Sequence, residues 1–550
     1  MIRIFKLHMT LAFLAVLLSS NSFGQEELNT IERAMKDELS RSMSELKSDN
    51  YDDPFFIRYR IRDNDDIQIF ATLGSIQQSL KQPYRTKEVR VMVGDYDFND
   101  ESLDDNSLEN GPPSFGYMDF SVPLGDDYYG IRRSLWITTD AIYKQAGKIY
   151  KDHLQRLVEE GKSAEEMDHR SFAKVEKSEY VEPIQKRSFT VSELEDFAKR
   201  ASAFFLDYDQ LFASSVRVSS SINTVYMMNS EGTRYRACTQ TTALTLSAAL
   251  SSENKGLSYE RYTYQLLPGQ QLPSLEEVKV KIAGLISQMK MKDRAQSFED
   301  SYYGPVLFRG SKVPELFNDY LINQLYASTE LGQADYYGYG FTGLEEKINK
   351  RIISKTLSVQ LHTRMEEWNG VPLRGSYKMD EEGVMAPDTL LLVENGFLRN
   401  LMSTRTLLRE GQMANGTGSG PGVVMISAKK TLSEDELKAR LIEIARENEQ
   451  EYAVIITGKL GSERYEVDIL KVDVITGQET LMTGASLAKF EYNDLIRVAG
   501  VSTGQSLTEL DGASYIAPDA ILIEDIGIRK AYNRMKMKEP VVESPLKKAE

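Results

Sequence analysis

Residues 370–402, GVPLRGSYKMDEEGVMAPDTLLLVENGFLRNLM, decide how this chain reads. Two turn signals sit inside them. Asp380-Glu381-Glu382-Gly383 follows a short strand-like run, Ser376-Tyr377-Lys378-Met379, and Glu394-Asn395-Gly396 closes a β-leaning run at 389–393. Asn-Gly favours a type I′ turn because both central positions need φ > 0. The chain then returns as Phe397-Leu398-Arg399-Asn400-Leu401-Met402. Tight hairpins follow from these residues, and on that reading the segment is a β scaffold. Leu390, Leu392, Phe397 and Leu401 cannot all face one small core, so they either present an apolar face to a partner or lie in a sheet packed on both sides. The carboxylates of Asp380, Glu381 and Glu382 could bind a cation, but their default reading is a solvated turn.

Upstream, residues 358–362 form a short strand ending in His362, four positions before Glu366-Glu367. A His and a carboxylate could meet there, although a satisfied strand-end His is the plainer reading. Downstream, 411–422 is a Gly-rich loop without Gly-Lys-Ser/Thr, so it is not a P-loop. Ser433 caps a helix carrying Leu437, Leu441 and Ile444, and the chain to about 524 is β-rich. The run Tyr336-Tyr337-Gly338-Tyr339-Gly340 is aromatic and could cover a groove or form a surface turn.

The first 24 residues read as a signal peptide. Arg3 and Lys6 precede the apolar core Leu11 to Leu18, and Ser22 and Gly24 offer small residues for a cut before Gln25. No later window is long and apolar enough for a membrane span. The expectation is an exported protein, periplasmic or extracellular. With 66 Lys plus Arg against 82 Asp plus Glu, the net charge of −16 argues against nucleic acid as a partner. Cys238 is the one cysteine, so an intramolecular disulfide is impossible and the residue reads as a small buried apolar group.

In the N-terminal part, 27–48 reads as a helix stopped by Asp53-Pro54. Runs at 55–61 and 67–73 read as strands separated by a turn at Asp63-Asn64-Asp65-Asp66, and 88–93 as another strand. An acidic insertion spans 95–127, a long helix 134–158, and a charged loop or arm 159–190. A helix at 192–205 carries a capping-box spacing at Ser192 and Glu195, and Ser274 with Glu277 opens another. Between them, strands at 216–228 and 234–249 are joined by Asn229-Ser230-Glu231-Gly232. Pro314 starts a helix with Leu316, Phe317, Leu321 and Leu325 on its apolar positions.

The order of these pieces resembles the TldD/PmbA family, metallopeptidases and their non-catalytic relatives. The carriers are the Gly-x-Tyr run at Gly375, the acidic D-E-x-G turn, the apolar strand with E-N-G, the N-S-E-G hairpin at 229–232, and the entry run Tyr303-Gly304-Pro305-Val306-Leu307-Phe308. The resemblance implies an α+β fold of two domains, 25–295 and 296–535, with a charged tail at 536–550. It implies a strongly curved or barrel-like, mostly antiparallel sheet in the second domain. It further implies that Asn415-Gly416, with Tyr337 and Tyr339, belongs to a substrate-binding region for an extended peptide.

Catalytic relatives carry H-E-x-x-x-H on the first helix of the C-terminal domain, where the His residues bind zinc and the Glu acts as base, with a late Cys as third ligand. The matching positions here are Asn318, Asp319 and Asn323, and the late region offers only Ser502 and Thr503. Asn is a poor zinc ligand. No metal is therefore expected, zinc only if atypical ligands serve. The resemblance leaves three readings: a metal-free structural or peptide-binding subunit partnering a homologue with an intact metal motif, a metal-dependent peptidase with atypical ligands, and a free-standing surface or periplasmic binding protein.

Overall fold

The computed structural model describes residues 28–103, 122–167, 169–252, 256–327, 344–407, 412–457, 467–531, 542 and 544–546. The segment read as a signal peptide, part of the acidic insertion, Tyr337, Tyr339 and most of the charged tail lie outside the described residues.

Among the described residues five long strands and one short one build the N-terminal sheet, the long ones being β1 Pro54–Thr72, β2 Ser75–Val93, β3 Ala213–Asn229, β4 Arg234–Ser252 and β5 Gly256–Leu266. The order is β2-β1-β3-β4, all antiparallel, and the far edge of β4 is shared by β5 and the short parallel strand Glu179–Val181. The expected turn at Asp63–Asp66 does not exist. β1 runs through it with an unbroken ladder, Asp63 opposite Arg85 on one side and Thr224 on the other. The chain reverses instead at Leu73 and Gly74, with φ of 47° and 79°.

Side-chain alternation explains the continuity. Ile57, Tyr59 and Ile61 pack in one core with helices α1 (Thr30–Glu45) and α2 (Tyr128–Glu160). Ile67, Ile69 and Ala71, still in phase, pack in a second core with α3 (Val191–Ala203) and α4 (Leu275–Arg294). Residues two apart on a strand share a face. Asp63 and Asp65 therefore lie between the two cores, where they pair with Arg85 at 2.7 Å and Arg187 at 3.0 Å. The acidic cluster is a polar seam under two helix pairs.

α4 begins at the expected capping box, Ser274 with Glu277. α3 does not: Thr190 and Glu193 form its box, two residues before the pair read from sequence. The 159–190 arm is tied to both halves of the molecule. Ser171–Phe172 pairs with Thr406–Leu407, and Glu179–Val181 extends the N-terminal sheet. Cys238 is buried and its Sγ accepts from Gln185 N and Thr224 Oγ1.

Among the described residues the C-terminal half holds two large sheets, besides the two-stranded hairpin Glu367–Trp368 with Val371–Pro372. In one, mostly antiparallel, the order is Phe397–Leu398, Leu390–Glu394, Leu357–Leu361, Val423–Ala428, Ala513–Pro518, Gln505–Leu510. In the other, Ala520–Lys530, Ser301–Arg309, Tyr452–Ile456, Val467–Asp473 and Glu479–Leu487 follow in order, and the last pairs back to the first, so the sheet closes into a ring. This is the α+β architecture with a strongly curved second-domain sheet. One large core joins both sheets, and helix α6 (Glu434–Glu447) covers a second core on the ring. Among the described residues no helix is long and apolar enough to cross a membrane.

The opening stretch behaves in part as read. Asn395 and Gly396 have φ of 50° and 82°, the type I′ signature. Leu392, Val393, Leu398 and Met402 are fully buried, and Leu390 and Leu401 pack at the margin of the same core. Most of this stretch is thus an internal sheet, and Phe397 is half-buried on its edge strand. Ser376 to Met379 is not a strand; 376–388 is a loop closed by a bridge between Met379 and Met385.

Candidate functional site

The acidic turn is the joint between the two halves, and it is not solvated. Asp380 is fully buried. Its carboxylate accepts from the N–H groups of Glu382 (3.0 Å), Val384 (2.9 Å) and Gly418 (3.1 Å). Burial outweighs these donors and, helped by nearby Glu382, pushes its pKa up to about 6. Gly383, at φ of 85°, lets the turn pass close to Thr233, whose Cγ2 would be 2.7 Å from any Cβ there.

The two glutamates enter a row of guanidiniums. Arg58, Arg60 and Arg62 share the face of β1 opposite the helices. Glu381 pairs with Arg60 and Arg62, and Glu382 with Arg58 at 3.1 Å and Arg90 at 3.4 Å. Glu88 bridges Arg58 and Arg60, and Glu101 holds Arg90. Burial alone would raise the Glu382 carboxyl, but Arg90 and Arg58 outweigh it and hold it below its ordinary value. Arg58 is itself lowered, by burial first and then by Arg90 and Arg60.

The Asn-Gly loop closes over this turn. Asn415 Oδ1 accepts from Ser403 N at 3.1 Å and Thr417 Oγ1 at 2.5 Å, and Nδ2 donates to Leu401 O at 2.8 Å. Gly416, at φ of 71°, lies where a Cβ would sit 2.3 Å from Met385 O. Asn415 and Gly416 thus stitch the loop to the hairpin and the acidic turn, with the amide engaged at both ends.

The helix bearing the degenerate motif, α5 (Lys312–Tyr320), ends before the motif does. A 3-10 turn, Ile322–Gln324, follows and carries Asn323, which is exposed, as is Asp319. Asn318 is buried and held at both ends: Oδ1 accepts from Tyr515 OH at 2.6 Å, and Nδ2 donates to Asp319 Oδ1 at 3.1 Å and Asp511 Oδ2 at 3.2 Å. This set does not fit zinc, which wants imidazole, thiolate or carboxylate in tetrahedral array. Among the described residues no group of three or more His, Cys, Asp or Glu is placed to hold a metal ion. Ser502, in the late region, donates to Gly504 O and accepts from Ala520 N.

Three tyrosines that sequence reasoning missed connect Asn318 with the acidic turn. Tyr515 is raised by burial, with Tyr326 and Asp511 adding to it; Tyr377 is raised by burial, with Asp380 and Tyr326 adding. Tyr326 is pushed up to about 12 by burial. Tyr377 OH donates to Gly420 O at 2.7 Å. These phenols stay protonated near neutral pH. Tyr515 is fully buried with its hydroxyl given to Asn318, so its ring belongs to the core, whereas Tyr326 and Tyr377 are only partly buried. No spacing in the sequence links positions 326, 377 and 515. The guanidinium row had a signal, Arg58-x-Arg60-x-Arg62 at strand period.

His362 stands at its strand end, its N–H bonded to Val423 O and its Nδ1 3.4 Å from Thr389 Oγ1, with its pKa lowered by burial. Glu366 pairs with Lys378 at 2.8 Å.

Two α+β units, the second holding a ring that is antiparallel except where Ser301–Arg309 meets Tyr452–Ile456, define the class of fold, and solved structures share that fold. TldE from Thermococcus kodakarensis superposes with a TM-score of 0.54 at 12% identity, over 90% of this chain and 100% of that one. A protein of Thermotoga maritima MSB8 described as a candidate modulator of a DNA gyrase gives 0.58 at 13%, over 90% and 99%. One of Bacteroides thetaiotaomicron VPI-5482, described as a candidate modulator of DNA gyrase, gives 0.59 at 11%, over 90% and 98%. At these identities the likeness establishes the fold. No protein-family model and no curated protein matches the chain.

Proposed function

We propose that this chain is an exported, divergent member of the TldD/PmbA family that works without zinc, as the structural or peptide-binding subunit beside a homologue bearing the intact metal motif. The observation that carries this reading is the state of Asn318. By the motif placement read from the sequence it stands where catalytic relatives carry a metal-binding His, and its amide is locked between Tyr515 and Asp511. Tyr326 and Tyr377, only partly buried, are the candidate ring surfaces for an extended peptide. The shared fold with TldE supports the family assignment, and the apolar, positively flanked N-terminus supports export.

The test is co-expression with a homologue encoding H-E-x-x-x-H, followed by light scattering and metal analysis. A stable complex with zinc only in the homologue is expected. A soluble monomer that ignores the homologue would replace this reading with a free-standing binding protein. Stoichiometric zinc in the isolated chain after chelator dialysis would replace it with a peptidase using atypical ligands. N-terminal sequencing of exported protein should begin at or near Gln25, and a cytoplasmic product retaining Met1 would remove the export claim.

A further inference from the structure

A cavity of about 610 Å³ lies in the N-terminal unit between α1 and the hairpin at 229–232. Its volume falls in the range of small-molecule sites, roughly 300–1,000 Å³. Leu39, Met43 and Met228 give it an apolar wall, and Lys36 and Lys177 stand at its exposed rim. The carboxylates nearby are already engaged: Glu179 pairs with Arg234 at 2.9 Å, and Glu32 pairs with Arg234 at 3.0 Å and Arg236 at 3.1 Å. Neither Lys36 nor Lys177 has a carboxylate partner among the described residues. The methylenes of Lys177 run across Gly232, where a Cβ would lie 3.2 Å from Lys177 Cδ, so the glycine keeps that lane open. On a chain of net charge −16, this apolar hollow therefore carries a local excess of two positive charges.

We propose that the cavity binds an apolar chain ending in a carboxylate, with its body on Leu39, Met43 and Met228 and its carboxylate held by Lys36 and Lys177. An apolar body gains from burial, and a carboxylate supplies charge-assisted hydrogen bonds to both ammonium groups. A cationic or neutral ligand would leave the lysines uncompensated. A fatty acid and the free C-terminus of an apolar peptide share this chemistry. The residues are separate from those of the proposed zinc-free role, so either assignment can fail alone.

The experiment is calorimetric titration of the purified chain with decanoate and decanol, and with trileucine and its C-terminal amide. Each acid that binds is expected to do so at least about tenfold more tightly than its neutral counterpart. Decanoate binding alone identifies a free lipid acid, trileucine binding alone a peptide terminus, and binding of both the common chemistry. The Lys36→Ala/Lys177→Ala variant should weaken binding about tenfold without moving the unfolding midpoint, because both side chains are exposed. Ser40→Trp, at the exposed rim, should block entry while the core stays intact. No binding by either acid at millimolar concentration, equal binding of acid and neutral forms, or undiminished binding by the double lysine variant would overturn the proposal.

Discussion

Arg405 grips Glu231 with two parallel hydrogen bonds of 2.7 Å across 174 positions of sequence. The guanidinium is almost fully buried, its carbon lies 4.1 Å from the centre of the Phe172 ring and 5.0 Å from that of Phe56, and it also donates to Ala173 O. The N-S-E-G hairpin of one half is thereby fastened to the hairpin return of the other. Breaking a buried pair by removing one partner leaves the other charge uncompensated. Arg405→Ala should therefore lower unfolding stability by about 3–5 kcal/mol. Arg405→Lys should recover only part of it, since an ammonium cannot reproduce the two-pronged geometry. Urea unfolding of the three proteins checks this; an alanine variant within experimental error of the parent would refute it.

Removing an acid from the turn should unbalance the guanidinium row. Glu382→Gln leaves Arg58 and Arg90 facing an amide and is expected to cost about 2 kcal/mol. Glu381→Gln should cost less, because Glu381 and Arg62 are more exposed. The deficit should narrow near 1 M salt, where screening acts over about 3 Å and relieves the remaining Arg–Arg repulsion. Denaturation at low and high salt tests both statements, and a deficit that grows with salt would contradict them.

Asp380 and Asp100 make stability fall as pH rises. Burial is the first cause in each case, and the folded-state values, about 6 and about 7, lie above the ordinary value near 3.9. The folded protein then holds protons that the unfolded chain has released. Each group's favourable contribution is complete below about pH 4 and is lost through about pH 6 for Asp380 and about pH 7 for Asp100. Relative to Asp380→Asn, the parent should lose stability between pH 4 and 6; relative to Asp100→Asn, between pH 4 and 7. Unfolding midpoints across that range decide it, and a parent-minus-variant difference that stays level or rises with pH would sink the argument.

Writing the missing motif back should not restore a metal site. In Asn318→His/Asp319→Glu/Asn323→His, residue 323 still sits on the 3-10 turn beyond α5, and residues 500–507 offer the hydroxyls of Ser502 and Thr503 rather than a thiol. The triple variant is expected to retain well below one zinc per chain after chelator dialysis, measured by elemental analysis. Stoichiometric retention would mean that the backbone alone is enough to build the site.

Much of the scaffold was readable because its signals are local. The Asn395-Gly396 turn, the hairpin at 229–232 and the Ser274 cap each depend on neighbours within a few residues. The false turn at Asp63–Asp66 came from weighing composition above phase. Ile57, Tyr59, Ile61, Ile67, Ile69 and Ala71 are all two or a multiple of two apart, and that unbroken parity was the evidence for one strand. The joint was illegible for a different reason. Arg58 meets Glu382 across 324 positions, and no spacing rule reaches that far. Asp380 likewise reads as a surface acid until the Gly418 N–H and the walls around it are in place.

The division of labour on β1 limits how freely the two halves can be exchanged. One face of the strand serves two helical cores of its own half, while Arg58, Arg60 and Arg62 on the other are neutralised by Glu88 of that half together with Glu381 and Glu382 from beyond residue 295. Cut apart, one piece would keep only Glu88 and Glu101 against four guanidiniums, and the other would leave Arg405 without its carboxylate. A chimera that kept this N-terminal unit would need a foreign C-terminal unit to supply acids in the same register.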